Sequence, residues 1–400
     1  MNNSRNSGNA AARFDIAIAG GGLVGATLAR ALRGARIALI CREPGAVPPA
    51  QGFDARVYAV SPGNAAMLRR LGAWGAIPAR HLTPVHAMRV YGDDGASMIE
   101  FDAYRSGVSE LAWIVEDGRL QEALWRGLED QEGLALFPNS SIRRLQISAP
   151  RASIVLEDGR ELAAQLVAGA DGARSLVREQ AGILSEAQAY GQTAVVANFA
   201  CSRPHRNVAW QWFQGAAKGS GVLALLPLPG DHVSMVWSMR ADDAARLLAL
   251  DAGALAREVA AASRDALGEL SLMTPQRGFP LQRLAADRLV APRIALVGDA
   301  AHVIHPLAGQ GANLGLQDAQ ALAEVLAGRE PGREPGDLRL LRRYERSRTE
   351  AILAMRATVH GLYRLFGAPG PGAARLRNAG LNLADRMPVL KNLLMRHATG

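Results

Sequence analysis

The stretch "FDIAIAGGGLVGATLARAL", residues 14–32, limits what this chain can fold into more than any other. Residues 14–19 read as a short buried strand and residues 23–33 as a helix, with a glycine turn between them. "ARIALI" (35–40) reads as a second strand. Strand, glycine turn, helix, strand is the opening unit of a doubly wound α/β sheet. Gly20, Gly22 and Gly25 match G-x-G-x-x-G at the position where that motif works. The first glycine permits the tight turn, the second lets a pyrophosphate approach the backbone, and the third lets helix and strand pack closely. The helix N-terminus then offers free N–H groups and a partial positive charge. One part of the pattern is missing. An acid is expected at the end of the second strand to grip ribose hydroxyls, and Cys41 stands there. Glu43 shares its strand parity, so it can either reach a ribose or lie in solvent as a loop acid.

A second segment, "GDAAHVIHPLAGQGANLGLQDA" (298–319), follows the buried strand "RIALVGD" and turns into a helix. Asp299 lies at the C-terminal end of that strand, where open α/β sheets place ligand-binding groups. The small residues of "PLAGQGAN" leave the backbone N–H groups of the helix start uncovered. Such an end suits an anion or a ring that becomes negative. Asp299, His302 and His305 are spaced three apart, but Pro306 follows at once and no cysteine joins them, so no metal is expected. His302 reads as a polar core residue. For His305 a core role and a catalytic role stand open.

Four hundred residues imply two or three domains, and 49% hydrophobic with 20% charged is ordinary globular composition. No apolar run approaches the roughly 18–20 residues of a spanning helix. "MNNSRNSGNAAAR" has no apolar centre and reads as a loose tail, not a signal peptide. Two cysteines make no disulfide framework, which points to a reducing cytoplasm. The net charge of +8 favours anionic partners, but it is scattered, without the basic block of a nucleic-acid groove. Nucleic-acid binding is not expected.

Further along, helices are expected at 62–71, 118–132 and 242–262, and hairpins around Asp94-Gly95 and Asp158-Gly159. Residues 192–239 are strand-rich. "GREPGREPGD" (328–337) reads as a surface loop, and 338–400 as wholly helical.

With these residues in view, the chain resembles the flavin-dependent aromatic hydroxylases related to p-hydroxybenzoate hydroxylase, and within them the ubiquinone-biosynthesis hydroxylases. The resemblance rests on "DIAIAGGGLVGATLA", "GADGARSLVR" (169–178), the segment 298–319 and "VAWQWFQGAAKGSGVLALLPLPGDHVSMVWS". "LRRYERSRTEAILAMRATVHGLYRLF" also carries it. It runs from about residue 13 to the end.

This resemblance implies an α/β fold with a Rossmann-like FAD-binding domain, a strand-rich substrate domain and a helical C-terminal region. The corresponding segments are 13–80, 109–185 and 277–330 for FAD, then 81–108 and 186–276 for substrate, then 331–400. It implies that Gly20, Gly22 and Gly25 hold the FAD pyrophosphate, with Arg56 near the flavin. Asp171 and Gly172 would serve both FAD and the nicotinamide donor, and Asp299 would meet the ribityl and pyrophosphate region. Pro306, Gly309, Gln310, Gly311, Ala312 and Asn313 form the loop and helix start under the ring. Glu43 is kept as a cofactor candidate. Gly309, Gln310 and Gly311 at the bare helix end, with His305, are the catalytic candidates.

Two departures bear on affinity. Cys41 replaces the family's ribose-binding glutamate, and Asp117 stands where relatives tend to carry Asn or Arg. Both predict weaker FAD retention.

The implied reaction uses NADH or NADPH and O2 to hydroxylate the ring of a polyprenylated ubiquinone precursor through a flavin hydroperoxide. Trp210, Trp212, Phe213, Leu225, Leu226 and Trp237 are expected to form the lid and apolar pocket, or else plain sheet core. The basic tail "RLRNAGLNLADRMPVLKNLLMRHATG" has two open fates: packing on its own domain, or lying on anionic lipid at the inner face of the membrane or on a partner of a biosynthetic complex. Rival readings are an aromatic hydroxylase or a reductase acting on another substrate, and a non-catalytic flavoprotein scaffold.

Overall fold

The structure is a computed structural model that describes residues 11–49, 52–94, 97–215, 221–305 and 310–367. The chain opens with β1 (Ala12–Ala19), α1 (Leu23–Ala31) and β2 (Ile37–Ile40). Next come β3 (Val57–Val60), α2 (Pro62–Arg70), β4 (Thr83–Val85) and the pair β5 (Ala87–Tyr91) and β6 (Met98–Asp102). β7 (Ala112–Glu116) leads into α3 (Asp117–Trp125). β8 (Leu134–Phe137), β9 (Ile142–Ile147), β10 (Ala152–Leu156), β11 (Glu161–Gly169) and α4 (Leu176–Gln180) follow. The strand-rich block holds β12 (Ser185–Cys201), β13 (Val208–Phe213), β14 (Val222–Leu228) and β15 (His232–Arg240), then α5 (Ala241–Leu248) and α6 (Ala252–Ala262). β16 (Leu270–Leu272), β17 (Arg277–Ala286), β18 (Val290–Ala291), β19 (Ile294–Leu296) and β20 (His302–Val303) come next. Two helices, α7 (Gln310–Ala327) and α8 (Leu338–Gly367), end the described chain.

Among the described residues three sheets form. The first runs β18-β19-β11-β1-β2-β8, with β10 and β9 attached at β11. Its five strands from β19 to β8 are parallel and finish together, Phe137 of β8 lying opposite Ile40. Ala19 lies opposite Ile40 and Gly169, and Gly169 opposite Leu296. Every loop that carries the sequence motifs therefore leaves from one edge, the ligand edge of an open parallel sheet. Burial on both faces explains the uniformly apolar runs at the ends of these strands, residues 16–19, 37–40 and 166–169.

The second sheet, β20-β17-β12-β15-β14-β13-β5-β6 with β16 beside β12, has two unlike faces. One packs Val195, Phe199, Trp210, Trp212, Leu223, Leu225, Met235 and Trp237 against Leu247, Leu255 and Val259 of α5 and α6. The other faces the first sheet. A small antiparallel sheet, β3-β7-β4, lies between.

Several boundaries differ from expectation. The helix expected at 242–262 is two, because Asp251 caps a new start by accepting from Ala254 N. The helix expected at 118–132 ends at Trp125. Residues 277–286, grouped by sequence with the nucleotide-binding part, are a strand of the second sheet, whereas β4 joins β7 in the small one. The turn at Gly95, the loop Pro306–Gly309 and residues 368–400 lie outside the described residues.

Candidate active site

Gly20 has φ +107°, and a Cβ there would stand 2.2 Å from Ala170 O; one on Gly25 would stand 1.9 Å from Gly20 O. Both positions therefore demand glycine. Gly22 differs: a Cβ there would meet nothing within 4 Å. The turn is thus tight on its inner side and open on its outer side. No side chain caps the first turn of α1 and no acid lies in it, so its N–H groups are left for an external acceptor. These residues fit a dinucleotide diphosphate.

The second motif lies against the first. Val24 of α1 touches both Gly298 and Gly315. Asp299 is exposed, yet the protein around it raises its carboxyl pKa through desolvation, opposed by His302 and Arg56. Open to solvent but ringed by protein is the condition of a group deep in a cleft. Arg56, exposed at 58%, stands in the same recess, 5.2 Å over the Tyr58 ring. Desolvation lowers its pKa, but Tyr58, Asp117, Asp299 and Asp54 together raise it.

Asp117 is not the bare repulsive acid expected. It is 8% exposed, lies 3.9 Å from Arg56 and accepts from Gln121 Nε2 at 2.6 Å. Its charge is met locally, so it does not of itself predict weak cofactor retention.

The other expected residues divide. Asp171 reaches the site through its backbone, whose N is 3.0 Å from the position of a Gly20 Cβ. Its carboxylate accepts from Ser175 Oγ and Val177 N at the start of α4, and Gly172, at φ +80°, makes the turn between them. Asn313 is buried; its Oδ1 accepts from Ser61 N and Asn64 Nδ2, and its Nδ2 donates to Ala59 O. The side chain thus fixes the start of α7 to β3 and α2, beside Gly311 and Ala312. His302 meets Asp318 at 2.6 Å, the polar core role read from sequence. His305 is 1% exposed, meets Gln192 Oε1 at 2.9 Å and lies edge-on to Tyr190; burial lowers its pKa to about 4. It is neutral near pH 7. Among the described residues no cluster of three or more His, Cys, Asp or Glu is placed to hold a metal.

A family model described as "FAD binding domain" matches residues 13–358. The chain is 37% identical over 389 residues to ubiquinone hydroxylase UbiL of Rhodospirillum rubrum, covering 96% of this chain and 89% of that protein. The chain belongs to the FAD-binding domain family and, within it, to the ubiquinone hydroxylases. It is 34% identical to 3-demethoxyubiquinol 3-hydroxylase of Escherichia coli, covering 96% and 98%. Its fold matches p-nitrophenol 4-monooxygenase PnpA of Pseudomonas putida with a TM-score of 0.78 at 18% identity, covering 97% and 99%. It is an FAD-dependent aromatic monooxygenase with a mixed α/β fold.

In this hydroxylase the position of the missing ribose acid is filled by apolar packing. Cys41 is buried; a Cβ on Gly21 would stand 2.7 Å from its Cβ, and burial raises the thiol to about 11. Trp125 closes the same corner, donating from Nε1 to Gly21 O at 2.9 Å. Glu43 is exposed and lies beyond the end of β2, so strand parity does not aim it anywhere.

The tryptophans expected to line a pocket do not. Trp210, Trp212 and Trp237 belong to the helix-covered face, with Leu225. The face toward the first sheet carries Leu226, Phe213, Ala224 and Val236 instead. Ala224, Leu226 and Val236 are half-exposed although they sit on central strands. Opposite them, Val57 and Ala59 of β3 pack with Leu226, and Ala59 O is the acceptor for Asn313. Half-exposed apolar side chains of the second sheet and of β3 thus lie between the middle of that sheet and the start of α7.

Three functional supports escaped the sequence reading. Arg178, buried, donates to Ala300 O at 2.8 Å and Ala173 O at 2.9 Å, tying "GADGARSLVR" to the Asp299 loop. Asp318, fully buried, accepts from His302, from Gly298 N and from Arg348. Arg348 stands in α8, one turn beyond Tyr344, whose hydroxyl donates to Leu296 O. An arginine, Arg348, following Leu340, Leu341 and Tyr344 on the apolar side of α8 was the available signal.

Proposed function

We propose that this hydroxylase inserts one oxygen atom of O2 into the aromatic ring of a polyprenylated ubiquinone precursor, with NADH or NADPH as reductant. One observation carries the reading. Two glycine-rich segments almost 300 residues apart meet through Val24, and the half-exposed apolar residues Ala224, Leu226 and Val236 of the second sheet suit an aromatic ring. The curated relatives, named as ubiquinone-pathway hydroxylases, support the substrate class.

In this reading the first sheet holds the dinucleotide and the second the ring. Gly20, Gly22 and Gly25 take the diphosphate, with the first turn of α1 donating N–H groups. Asp299 accepts from polyol hydroxyls, and Arg56 offers its charge from the opposite wall. Gly311 and Ala312 lie under the ring system, where small side chains leave N–H groups uncovered. FAD, when bound, supplies the reductive activation of O2, which the protein alone lacks. The protein's part is to orient the substrate and keep water out. His305, neutral and sealed against Gln192 and Tyr190, positions the chain leaving β20. A polyprenyl tail partitions into lipid, so the enzyme collects its substrate at a membrane face; no described helix is long and apolar enough to cross one.

Purified enzyme supplied with NAD(P)H, labelled O2 and a prenylated phenol tests this. One labelled atom in the ring product is expected. Reductant consumed with all oxygen released as peroxide would overturn it in favour of a reductase. Flotation with anionic vesicles tests the membrane contact, and protein left wholly unbound would remove that part.

A further inference from the structure

The apolar face of the second sheet opposite α5 and α6 has one polar group out of character. Register across the second sheet places Val196, Val236, Ala224, Gln211, Val90 and Ile99 in a single row on the face toward the first sheet. All but Gln211 are aliphatic. Gln211 is 5% exposed, its amide makes no hydrogen bond to the described protein, and neither amide atom is among those sealed from solvent. Its row neighbours Ala224 and Val236 are half-exposed, so the amide opens into the same space they do. One row further, Asn198 Oδ1 and Ser234 Oγ face each other across the strands, buried and without a partner. Polar atoms left unsatisfied on a face that is otherwise aliphatic are costly unless something answers them.

We infer that Gln211 is a specificity-determining residue that hydrogen-bonds a ring oxygen of the aromatic substrate. This rests on the aromatic-hydroxylase reading. An amide carries an acceptor oxygen and two donor hydrogens, so it serves a phenol hydroxyl or a methoxy oxygen equally well. A hydrocarbon ring would leave it unanswered, and sites built on a buried polar group reject such analogues. Trp210 and Trp212, either side of it in β13, point to the opposite face and take no part.

The test compares 2-prenylphenol with prenylbenzene, the same ring without oxygen, binding to the FAD-loaded enzyme and read by perturbation of flavin absorbance. Wild type is expected to prefer 2-prenylphenol. Gln211→Leu should weaken 2-prenylphenol by about tenfold to a hundredfold, the effect of one unanswered polar partner. Prenylbenzene affinity and FAD content should hold. Gln211→Met, with a similar unbranched side chain, guards against a packing defect and should behave the same way. A preference for the phenol that survives in both variants overturns the inference. If wild type binds and hydroxylates no prenylated ring at all, the proposed function falls and takes this assignment with it.

Discussion

Val24 in α1 and Gly315 in α7 stand so close that a Cβ on Gly315 would lie 2.7 Å from Val24 Cγ2. This contact joins the helix that follows the glycine turn to the helix beneath the proposed ring site. Gly315→Ala already forces a shift, because its Cβ would meet the stiff β-branched Val24 at 2.7 Å and the backbone Cα of Gly298 at 3.3 Å. Gly315→Val should force the helices apart, cost about 1–3 kcal/mol and yield protein with less bound flavin. Flavin absorbance per protein checks this; full flavin content in the Val variant would show that the joint does not set the proposed ring site.

Asp318 has no exposure to water, and its charge is held by His302 and Arg348. Burial would raise its pKa, but these two partners bring it below the ordinary carboxylate range. Arg348→Met leaves a buried charge with one partner gone and should cost about 3–5 kcal/mol in urea unfolding. Adding Asp318→Asn to that variant should recover part of the loss, since the two positions share one network. Strictly additive effects would disprove the coupling.

His305 gives the fold a dependence on pH. Its folded pKa of about 4 lies below the unfolded value near 6.5. Between these values the unfolded chain binds the extra proton, so stability rises with pH across that window. The contribution is whole above pH ~6.5 and falls by about 3 kcal/mol as pH drops to ~4. His305→Gln should flatten unfolding free energy between pH 4 and 6.5, measured by denaturant titration. An unchanged slope would mean that His305 is not buried neutral.

Trp237 and Ala224 test the two faces of the second sheet. Trp237 packs on the helix side, and its Nε1 is buried without a partner. Trp237→Ala should therefore cost about 3–5 kcal/mol of stability, with the KM of surviving enzyme unchanged. Ala224→Phe should do the reverse, leaving the fold intact while raising KM at least about tenfold by filling the proposed substrate site. Equal KM effects from both would mean that the faces have been assigned the wrong way round.

How far the site was legible depended on the range of the interaction. Gly20 and Gly25 were readable because a left-handed turn and a close backbone approach select glycine locally. The place of Asp299 just past a strand of the parallel sheet was readable because an apolar run leads straight into it. The surroundings of Cys41 and Asp117 were not readable, since they come largely from Trp125, Gly21 and Arg56, which are near only in space. The tryptophans misled for a similar reason. Alternation along β13 and β15 separates two faces, but both are apolar, and only the placement of α5 and α6 says which is covered.

By itself, the sequence determined the α/β class, the glycine turn after β1 and the family, because short-range sterics and hydrophobic period are written residue by residue. Tertiary structure alone decided which face of the second sheet is open, what neutralises Asp117, and that α8 holds the Asp299 loop through Arg348 and Tyr344. Those outcomes depend on burial and on charge pairing between distant segments, and the free energy of either is undefined until the chain has brought its partners together.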